Sequence, residues 1–276
     1  MECVRRKVQV LHGGVFRVDD AWRSPLEGLG ISAGSDWTRF VGDQQVSENP
    51  SLRCYRCDLP GGQAVYFKRY VYAQKKWHEF FLRPGKAAVE CWSYSRLKAL
   101  GIPTLEVLAF AERRLLGMMV AACIVTRGVP DTIDLEAFAR NVWCHWPRKR
   151  RTETARALAG TLLEQARTAH RHGFFHHDLK WRNVLVNPEG DPKSLVWIDA
   201  PRASRMLFRE RRGVMTDLSG LARIAVSLFS RFELMRFIHM YLGETGSSVE
   251  AKRLFRQVQQ HLGRRTPRPV DLSFPD

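Results

Sequence analysis

The chain has 276 residues, of which 45% are hydrophobic and 26% are charged, a composition typical of a soluble enzyme with one large domain or two smaller ones. Its 44 lysines and arginines outnumber the 28 acidic residues, and this excess favours a polyanionic partner: a nucleic acid, an anionic membrane surface or a phosphorylated substrate. The longest apolar stretch, residues 115–126, is too short to span a bilayer, and the first residues have no apolar signal core, so we expect a cytoplasmic protein.

The first half of the chain carries strand patterns. Residues 1–36 mix short apolar pieces with Gly and Pro and show no motif, so we treat them as an extension. Beyond them, apolar stretches separated by Asn-Pro and Pro-Gly turns predict an antiparallel meander, followed by an amphipathic helix and further strands. The predicted strands are 37–46, 52–59, 64–72, 104–111 and 117–125, and the predicted helix is 86–100.

After residues 127–130 the pattern becomes mostly helical, and apolar residues at helical spacing are clearest over 152–172. A sheet-rich first half and a helical second half predict an α+β protein with two lobes, an N-terminal lobe over residues 1–127 and a C-terminal lobe over 128–276. The predicted helices are 131–142, 152–172, 217–232, 233–242 and 249–262, and short strands are predicted at 183–186 and 194–198.

The cysteines show no pairing pattern, which favours a reducing compartment over a disulfide framework. Two of them form a single C-x-x-C on a predicted strand with no second pair, so the pattern does not indicate a zinc ribbon. The six cysteines are Cys3, Cys54, Cys57, Cys91, Cys123 and Cys144.

Two segments of the second half carry the side chains with the clearest chemistry. The first, FHHDLKWRNVLV, places Asp178, Lys180 and Asn183 at fixed offsets on a loop. The second, WIDA, adds Asp199 at the end of an apolar strand. Phosphoryl transfer needs a base to orient an alcohol, oxygen ligands for Mg²⁺ and a cation for developing phosphate charge. The two segments therefore predict a phosphotransferase.

The order of these residues resembles the protein-kinase-like fold over residues 37–262. HHDLKWRN, with His177 in place of an arginine, is similar to the family's H-R-D-L-K-x-x-N, and Asp199-Ala-Pro stands where the family has D-F-G. The segment VYFK ends at Lys68 and resembles the strand lysine that holds ATP phosphates. Glu90 lies where the family's ion-pairing glutamate is expected, although an exposed helix acid is the alternative.

The resemblance also implies a role for each side chain. Asp178 is the implied catalytic base, and Lys180 is the implied cation near the transferred phosphate. DLSG, which begins at Asp217, resembles the opening of the helix that supports the catalytic loop, so Asp217 and His176 are expected to be structural. The side chains implied to converge on one ATP–Mg²⁺ complex are Lys68 and Glu90 for the phosphates and Asn183 and Asp199 for the metal.

A narrower resemblance is to the lipopolysaccharide core kinases, the family of Kdo and heptose kinases. It is carried by YFKRY, ECWSYSRL, LGIPT, the HHDLKWRNVLV loop and the Ile-Asp before Ala200, which together span the predicted catalytic core. The family transfers phosphate from ATP to sugar hydroxyls of the growing lipopolysaccharide core. The resemblance implies ATP and Mg²⁺ as cofactors and a location at the cytoplasmic face of the bacterial inner membrane.

The sequence departs from the kinase pattern before Lys68, where there is no G-x-G-x-x-G; the turn between the first two predicted strands reads VSENPS. Nucleotide preference therefore stays open. Only 17 residues separate Asp199 from Asp217, too few for a long peptide-docking segment, which favours a small-molecule or glycolipid acceptor. A relative of aminoglycoside or choline kinases and a catalytically silent scaffold remain alternatives.

The basic residues suggest partners. The run 147–151 follows Trp143 and Trp146, and such a pairing of aromatic and cationic side chains suits a membrane headgroup zone. No nucleic-acid-binding motif is recognisable, so we expect no nucleic acid. The expected partners are a lipopolysaccharide core saccharide or another anionic glycolipid and the anionic inner-membrane surface. Five arginines beyond Asp199 are placed to meet an anionic acceptor: Arg202, Arg205, Arg209, Arg211 and Arg212.

Overall fold

An antiparallel sheet organises the first half of the chain in the computed structural model, which describes residues 4–73, 79–205, 210–243 and 246–263. Its strands are β1 (Gly13–Val18), β2 (Gln44–Asn49), β3 (Leu52–Asp58), β4 (Ala64–Val71), β5 (Val107–Leu115) and β6 (Met118–Arg127). They lie in the spatial order β1-β5-β6-β4-β3-β2, so the strand that the sequence did not reveal, β1, forms one edge beside β5.

A hydrophobic core covers one face of this sheet. Val65 and Phe67 of β4 are fully buried in it, and Leu26 of helix α1 (Arg23–Gly28) packs on the same cluster. Trp37 also joins this core, from a short 3₁₀ helix, so the strand predicted over 37–46 is wrong in its first part and begins only at Gln44. Because side chains alternate along a strand, Lys68 lies on the face of β4 opposite Phe67.

The helix predicted over 86–100 is observed as α2 (Lys86–Ala99). Residues 87–91 are all buried, and Ser93, Tyr94 and Leu97 follow on one side, so the first half of the helix is enclosed by the protein on several sides. The backbone N–H of Lys86 donates to the Tyr72 hydroxyl (3.1 Å), which satisfies one of the amides that a helix start leaves unpaired.

The second half of the described chain is mostly helical. The helices are α3 (Leu135–Asn141), α4 (Arg148–Arg171), α5 (Glu210–Leu228), α6 (Arg231–Leu242) and α7 (Ser248–Gly263). Short strands between them are β7 (Ile133–Asp134), β8 (Phe174–Phe175), β9 (Val184–Val186), β10 (Val196–Trp197) and β11 (Ser204–Arg205). They pair in the orders β10-β9-β7 and β11-β8.

Several predicted boundaries are wrong at helix starts. Helix α3 begins at Leu135 rather than 131 because the Asp134 carboxylate caps it, accepting from the N–H of Ala137 (2.9 Å). Asp131 has a left-handed backbone (φ 49°), which a right-handed helix excludes. Helix α5 begins at Glu210, so Asp217 lies inside the helix rather than at its start.

The chain divides into two compact units. The first comprises Met1–Lys98, Thr104–Pro130 and Ala200–Arg202, and the second comprises Ala99–Pro103, Asp131–Asp199 and Ala203–Asp276. None of the described helices is long and apolar enough to cross a membrane. Arg209 and Cys3 lie outside the described residues.

Candidate active site

In the first unit, Lys68 and Glu90 form a buried ion pair. Lys68 projects from β4 and Glu90 from the first half of α2, and the Lys68 Nζ lies 3.0 Å from the Glu90 Oε1. The Glu90 side chain is 2% exposed, which excludes the alternative of an exposed helix acid. A carboxylate so deeply buried needs several donors, because an unpaired buried charge is strongly destabilising.

Two tyrosines supply those further donors, and the sequence analysis missed both. The Tyr94 hydroxyl donates to the Glu90 Oε1 (2.6 Å), and the Tyr70 hydroxyl donates to its Oε2 (2.5 Å). Their spacing could have revealed them, because Tyr70 is two residues beyond Lys68 on the same face of a strand and Tyr94 is one helical turn beyond Glu90. Together they fix the carboxylate that holds the lysine.

In the second unit, the loop after β8 brings three predicted site residues together. Lys180 and Asp178 form a close ion pair. The Asn183 side-chain nitrogen donates to the main-chain oxygen of Asp178 (2.8 Å) and approaches its carboxylate (3.4 Å). Asn183 is 3% exposed and ends a short 3₁₀ turn, so its position is fixed by packing as well as by these contacts.

Helix α5 holds this loop through Asp217. The Asp217 Oδ2 accepts from the backbone N–H of His176 (2.8 Å), and its Oδ1 accepts from that of His177 (2.7 Å). His177 has a left-handed backbone (φ 62°), a conformation that surrounding contacts must hold in place. The prediction that Asp217 is a structural hydrogen-bond acceptor is thus confirmed.

The glycine of the DLSG segment has an equally direct role. A Cβ on Gly220 would lie 2.2 Å from the carbonyl oxygen of Leu179, a distance that no side chain tolerates. The helix can therefore approach the loop backbone only with glycine at this position.

Asp199 is linked to the loop through the backbone. The N–H of Ile198 donates to the carbonyl of Asn183 (3.0 Å), and the His176 Nε2 lies 3.1 Å from the carbonyl of Ile198, to which it must donate. Asp199 follows directly, with a left-handed backbone (φ 58°). Such conformations in residues other than glycine are concentrated at functional sites.

The donor set of the second unit fits Mg²⁺. This ion prefers oxygen ligands and usually takes one or two carboxylates together with substrate phosphates. Both side-chain hydrogen bonds of Asn183 use its nitrogen, and among the described residues nothing donates to its oxygen. The Asn183 oxygen and the Asp199 carboxylate are ligands of this kind, and their role in holding Mg²⁺ stays a prediction.

The turn between β2 and β3, where kinases have glycines, is closed by side-chain hydrogen bonds. The Asn49 Oδ1 accepts from the backbone N–H of Ser51 (3.0 Å) and from its hydroxyl (3.1 Å). Strand β2 runs through Asn49, so the turn is shorter than the predicted VSENPS segment.

Residues 65–241 match the model of the lipopolysaccharide kinase (Kdo/WaaP) family. The chain belongs to this family. The match begins in β4 and ends in α6, so it includes Lys68, Glu90 and the whole loop that carries Asp178 and Asn183. The narrower resemblance noted in the sequence is confirmed.

A curated relative and a solved structure agree with this family. The chain is 28% identical to the lipopolysaccharide core heptose(I) kinase WaaP of Pseudomonas aeruginosa over 160 residues, which are 56% of this chain and 59% of that protein. The aligned part therefore spans less than two thirds of that relative. A solved structure of WaaP in complex with acyl carrier protein superposes with a TM-score of 0.67 at 20% identity, over 91% of this chain and 98% of that one. This likeness confirms the predicted α+β, protein-kinase-like fold class.

Proposed function

We propose that the protein is an ATP- and Mg²⁺-dependent kinase that phosphorylates a sugar hydroxyl of the lipopolysaccharide core, a heptose or Kdo. The observation that supports this most directly is the loop in which Asp178, Lys180 and Asn183 meet, anchored by Asp217. Family membership supports the same conclusion. The proposal includes the assignment of Lys68 and Glu90 to the nucleotide phosphates.

The residues of the chain divide the work of phosphoryl transfer. The Asp178 carboxylate orients the acceptor hydroxyl and takes its proton, while the Lys180 ammonium beside it faces the charge that develops on the transferred phosphate. Asn183 and Asp199 hold Mg²⁺, which neutralises phosphate charge when it is bound. Lys68 binds the non-transferred phosphates, and Glu90 keeps that lysine extended.

An anionic acceptor is supported by the residues that follow Asp199. Among the described residues of this stretch, Arg202, Arg205, Arg211 and Arg212 supply cations, whereas Glu210 is the one acid between 200 and 216. Aminoglycoside- and choline-kinase-like enzymes need acidic acceptor sites to hold a cationic substrate, and this stretch has the opposite charge. Phosphate-bearing core saccharide is therefore the acceptor class that we propose.

Mass spectrometry of core oligosaccharide tests this function. Cells that lack the protein should lose one phosphate from the core, and wild-type protein supplied in trans should restore it, whereas the Asp178→Ala variant should not. Purified protein should transfer phosphate from ATP to core isolated from the deletion strain and not to aminoglycosides or choline. An unchanged core in the deletion strain, or turnover on cationic amines alone, would contradict the proposal.

We further propose that the protein works as a peripheral protein at the inner face of the inner membrane. Arg148, Lys149 and Arg150 are exposed at the start of α4, and the Arg150 guanidinium lies 3.6 Å from the centre of the Trp146 ring. Trp143, in contrast, is buried and donates its indole N–H to the carbonyl of Arg151 (2.9 Å). The expectation that both tryptophans face headgroups is thus wrong for Trp143, because it packs inside the helical unit.

An acyl carrier protein is a second partner that we propose, because the WaaP of the solved structure is in complex with one. Its support in this chain is an apolar cavity of about 130 Å³ among the helices of the second unit, lined by side chains such as Leu162, Leu221 and Phe255. Such a cavity excludes polar ligands and suits an alkyl chain. Gel filtration with acyl-loaded and unloaded carrier protein tests the proposal; co-elution that does not depend on the acyl chain would contradict the role of the cavity.

A further inference from the structure

Five large apolar side chains are exposed around the turn that joins β5 to β6 in the first unit. They account for five of the eleven exposed large apolar side chains among the described residues. Folding normally hides such side chains, and a cluster of them marks an interaction surface. We call the cluster the apolar tip; it consists of Leu11 (61% exposed), Phe81 (51%), Leu82 (54%), Leu115 (41%) and Leu116 (69%).

Three separate segments of the chain meet at the apolar tip. The N–H of Gly117 donates to the carbonyl of Leu11 (2.6 Å), and the N–H of Leu82 donates to the carbonyl of Gly117 (3.2 Å). A Cβ on Gly117 would lie 3.0 Å from the Phe81 ring and 3.2 Å from the Leu82 side chain, so both side chains lie over this glycine. The tip is therefore one surface rather than scattered side chains.

Two leucines of the tip occupy backbone conformations that disfavour leucine. Leu82 has φ 50° and Leu116 has φ 48°, in the left-handed region that glycine and asparagine adopt at less cost. Folding alone therefore favours a small or polar residue at both positions. Exposed leucines there indicate that their side chains serve a purpose other than stability.

A buried arginine fixes the tip from beneath. The Arg114 Nε donates to the Glu112 carboxylate (2.5 Å), and both side chains are fully buried. The same guanidinium donates to the carbonyls of Phe80 (3.0 Å) and Arg83 (2.6 Å) on one side and of Gly117 (2.8 Å) on the other. The segment with Phe81 and Leu82 is thereby joined to the β5–β6 turn, and the apolar side chains are presented on a rigid support.

The surroundings of the tip are basic. Among the described segments 4–12, 79–83 and 112–118, the acids are Glu79 and the buried, paired Glu112. The Gln9 side chain donates to the carbonyls of Arg5 (2.8 Å) and Lys7 (2.7 Å), and the Gln9 N–H approaches Glu112 (3.4 Å), which keeps the basic turn beside the tip. The exposed cations of these segments are Arg5, Arg6, Lys7, Arg83 and Arg113, of which Arg113 is paired with Asp36 (3.6 Å).

We propose that the apolar tip inserts into the headgroup region of an anionic phospholipid bilayer, while the flanking cations bind lipid phosphates. Interfacial membrane binding requires exposed apolar side chains, here leucine and phenylalanine, beside basic ones, here arginine and lysine. The proposal rests on the peripheral membrane location proposed above, but it does not depend on the kinase reaction.

Vesicle co-sedimentation of the full chain, without nucleotide, tests the tip. The wild-type protein should bind vesicles that contain phosphatidylglycerol, should bind phosphatidylcholine vesicles less, and should be released by salt. The double variant Leu82→Asn, Leu116→Asn should bind at least about tenfold more weakly, because two leucines no longer leave water. Its stability in urea should be equal to or higher than that of the wild type, because asparagine tolerates these backbone angles.

The matched control is Phe232→Asn, Val249→Asn, which removes two apolar side chains of similar exposure (76% and 72%) from helices of the second unit. This variant should bind vesicles like the wild type. If the Leu82/Leu116 variant binds vesicles as strongly as the wild type does, the proposal for the apolar tip is overturned but the membrane location is not. Absence of binding by the wild type would overturn the membrane location as well, while core phosphorylation would still test the kinase function. If the wild type is a dimer, and the leucine variant is a monomer that binds vesicles as before, the apolar tip is a self-association surface instead.

Discussion

Replacing Asp217 by asparagine should both destabilise the second unit and disable the loop that carries Asp178. The wild-type carboxylate accepts two backbone N–H groups, those of His176 and His177, and its Oδ2 also lies 3.2 Å from the His170 Nε2. Asparagine keeps one acceptor oxygen and places an NH₂ group where the other was. One of these two backbone N–H groups then faces the NH₂ group of the introduced asparagine, and this happens inside a fully buried site.

The size of the effect follows from the contacts that are lost. A hydrogen bond to a charged group contributes about 1.5–3 kcal/mol, and a buried donor left without an acceptor costs about 1–3 kcal/mol. We therefore expect Asp217→Asn to lower the free energy of unfolding by ~2–4 kcal/mol, a large share of the typical ~5–15 kcal/mol of a domain. Because His177 is held in a left-handed conformation, loss of its anchor should also displace the loop.

Urea unfolding and ATP turnover measure the two effects separately. Turnover should fall at least about tenfold at urea concentrations where the variant is still folded. The control is Asp191→Asn, in the same unit, where an exposed carboxylate caps the short turn at 192–194 and asparagine caps equally well. Wild-type stability and turnover in Asp217→Asn would refute the claim that this carboxylate holds the loop.

Four further substitutions test the site. Asp178→Ala and Asp199→Ala should each lower the rate of phosphoryl transfer by about 10²-fold or more. Their circular dichroism spectra should be unchanged, because each substitution removes a reacting group rather than a packing contact. Normal turnover in either variant would contradict the assignment. Tyr94→Phe removes one donor from Glu90 and should raise the KM for ATP more than it lowers kcat, which steady-state kinetics will show. Gly220→Ala should unfold at a markedly lower temperature, because its Cβ would collide with the loop backbone.

The loop that carries Asp178 could be predicted from the sequence because most of its contacts are local. Asp178, Lys180 and Asn183 lie within six residues, and the loop conformation that unites them is set mostly by neighbouring residues and by Asp217. Asp217 lies 41 residues beyond His176, so its role was predictable only from the resemblance of DLSG to the opening of the helix that supports the loop in kinases.

The apolar tip was not predictable, because it depends on contacts between distant segments, and the spacing of Tyr70 and Tyr94 becomes informative only once Lys68 and Glu90 are known to pair. Tyr70 and Tyr94 read as ordinary core aromatics until β4 and α2 are placed side by side. Strand β1 was missed because its pairing partner, β5, lies about one hundred residues away and its own sequence is rich in glycine. Leu116 lies in the predicted connection between the strands 104–111 and 117–125, but its backbone conformation was not predictable, since leucine gives no sign of a left-handed conformation.

The buried pair beneath the tip should make stability depend on pH. Burial raises the pKa of the Glu112 carboxyl above its ordinary value of 4.5, and the hydrogen bond from Arg114 opposes this rise only in part. The folded chain therefore binds this proton more tightly than the unfolded chain does. Its contribution to stability is fully present below pH 4.5 and is lost as the pH rises through the folded-state pKa.

Glu112→Gln should remove this component, because glutamine is neutral throughout and its oxygen can still accept from Arg114. Urea unfolding from about pH 4.5 upward should show a smaller loss of stability in the variant than in the wild type. Glu112→Ala should instead be destabilised at every pH, since it leaves a cavity and a buried guanidinium without its carboxylate. An identical pH slope in wild type and Glu112→Gln would show that Glu112 stays ionised, and that the pairing with Arg114 outweighs the effect of burial.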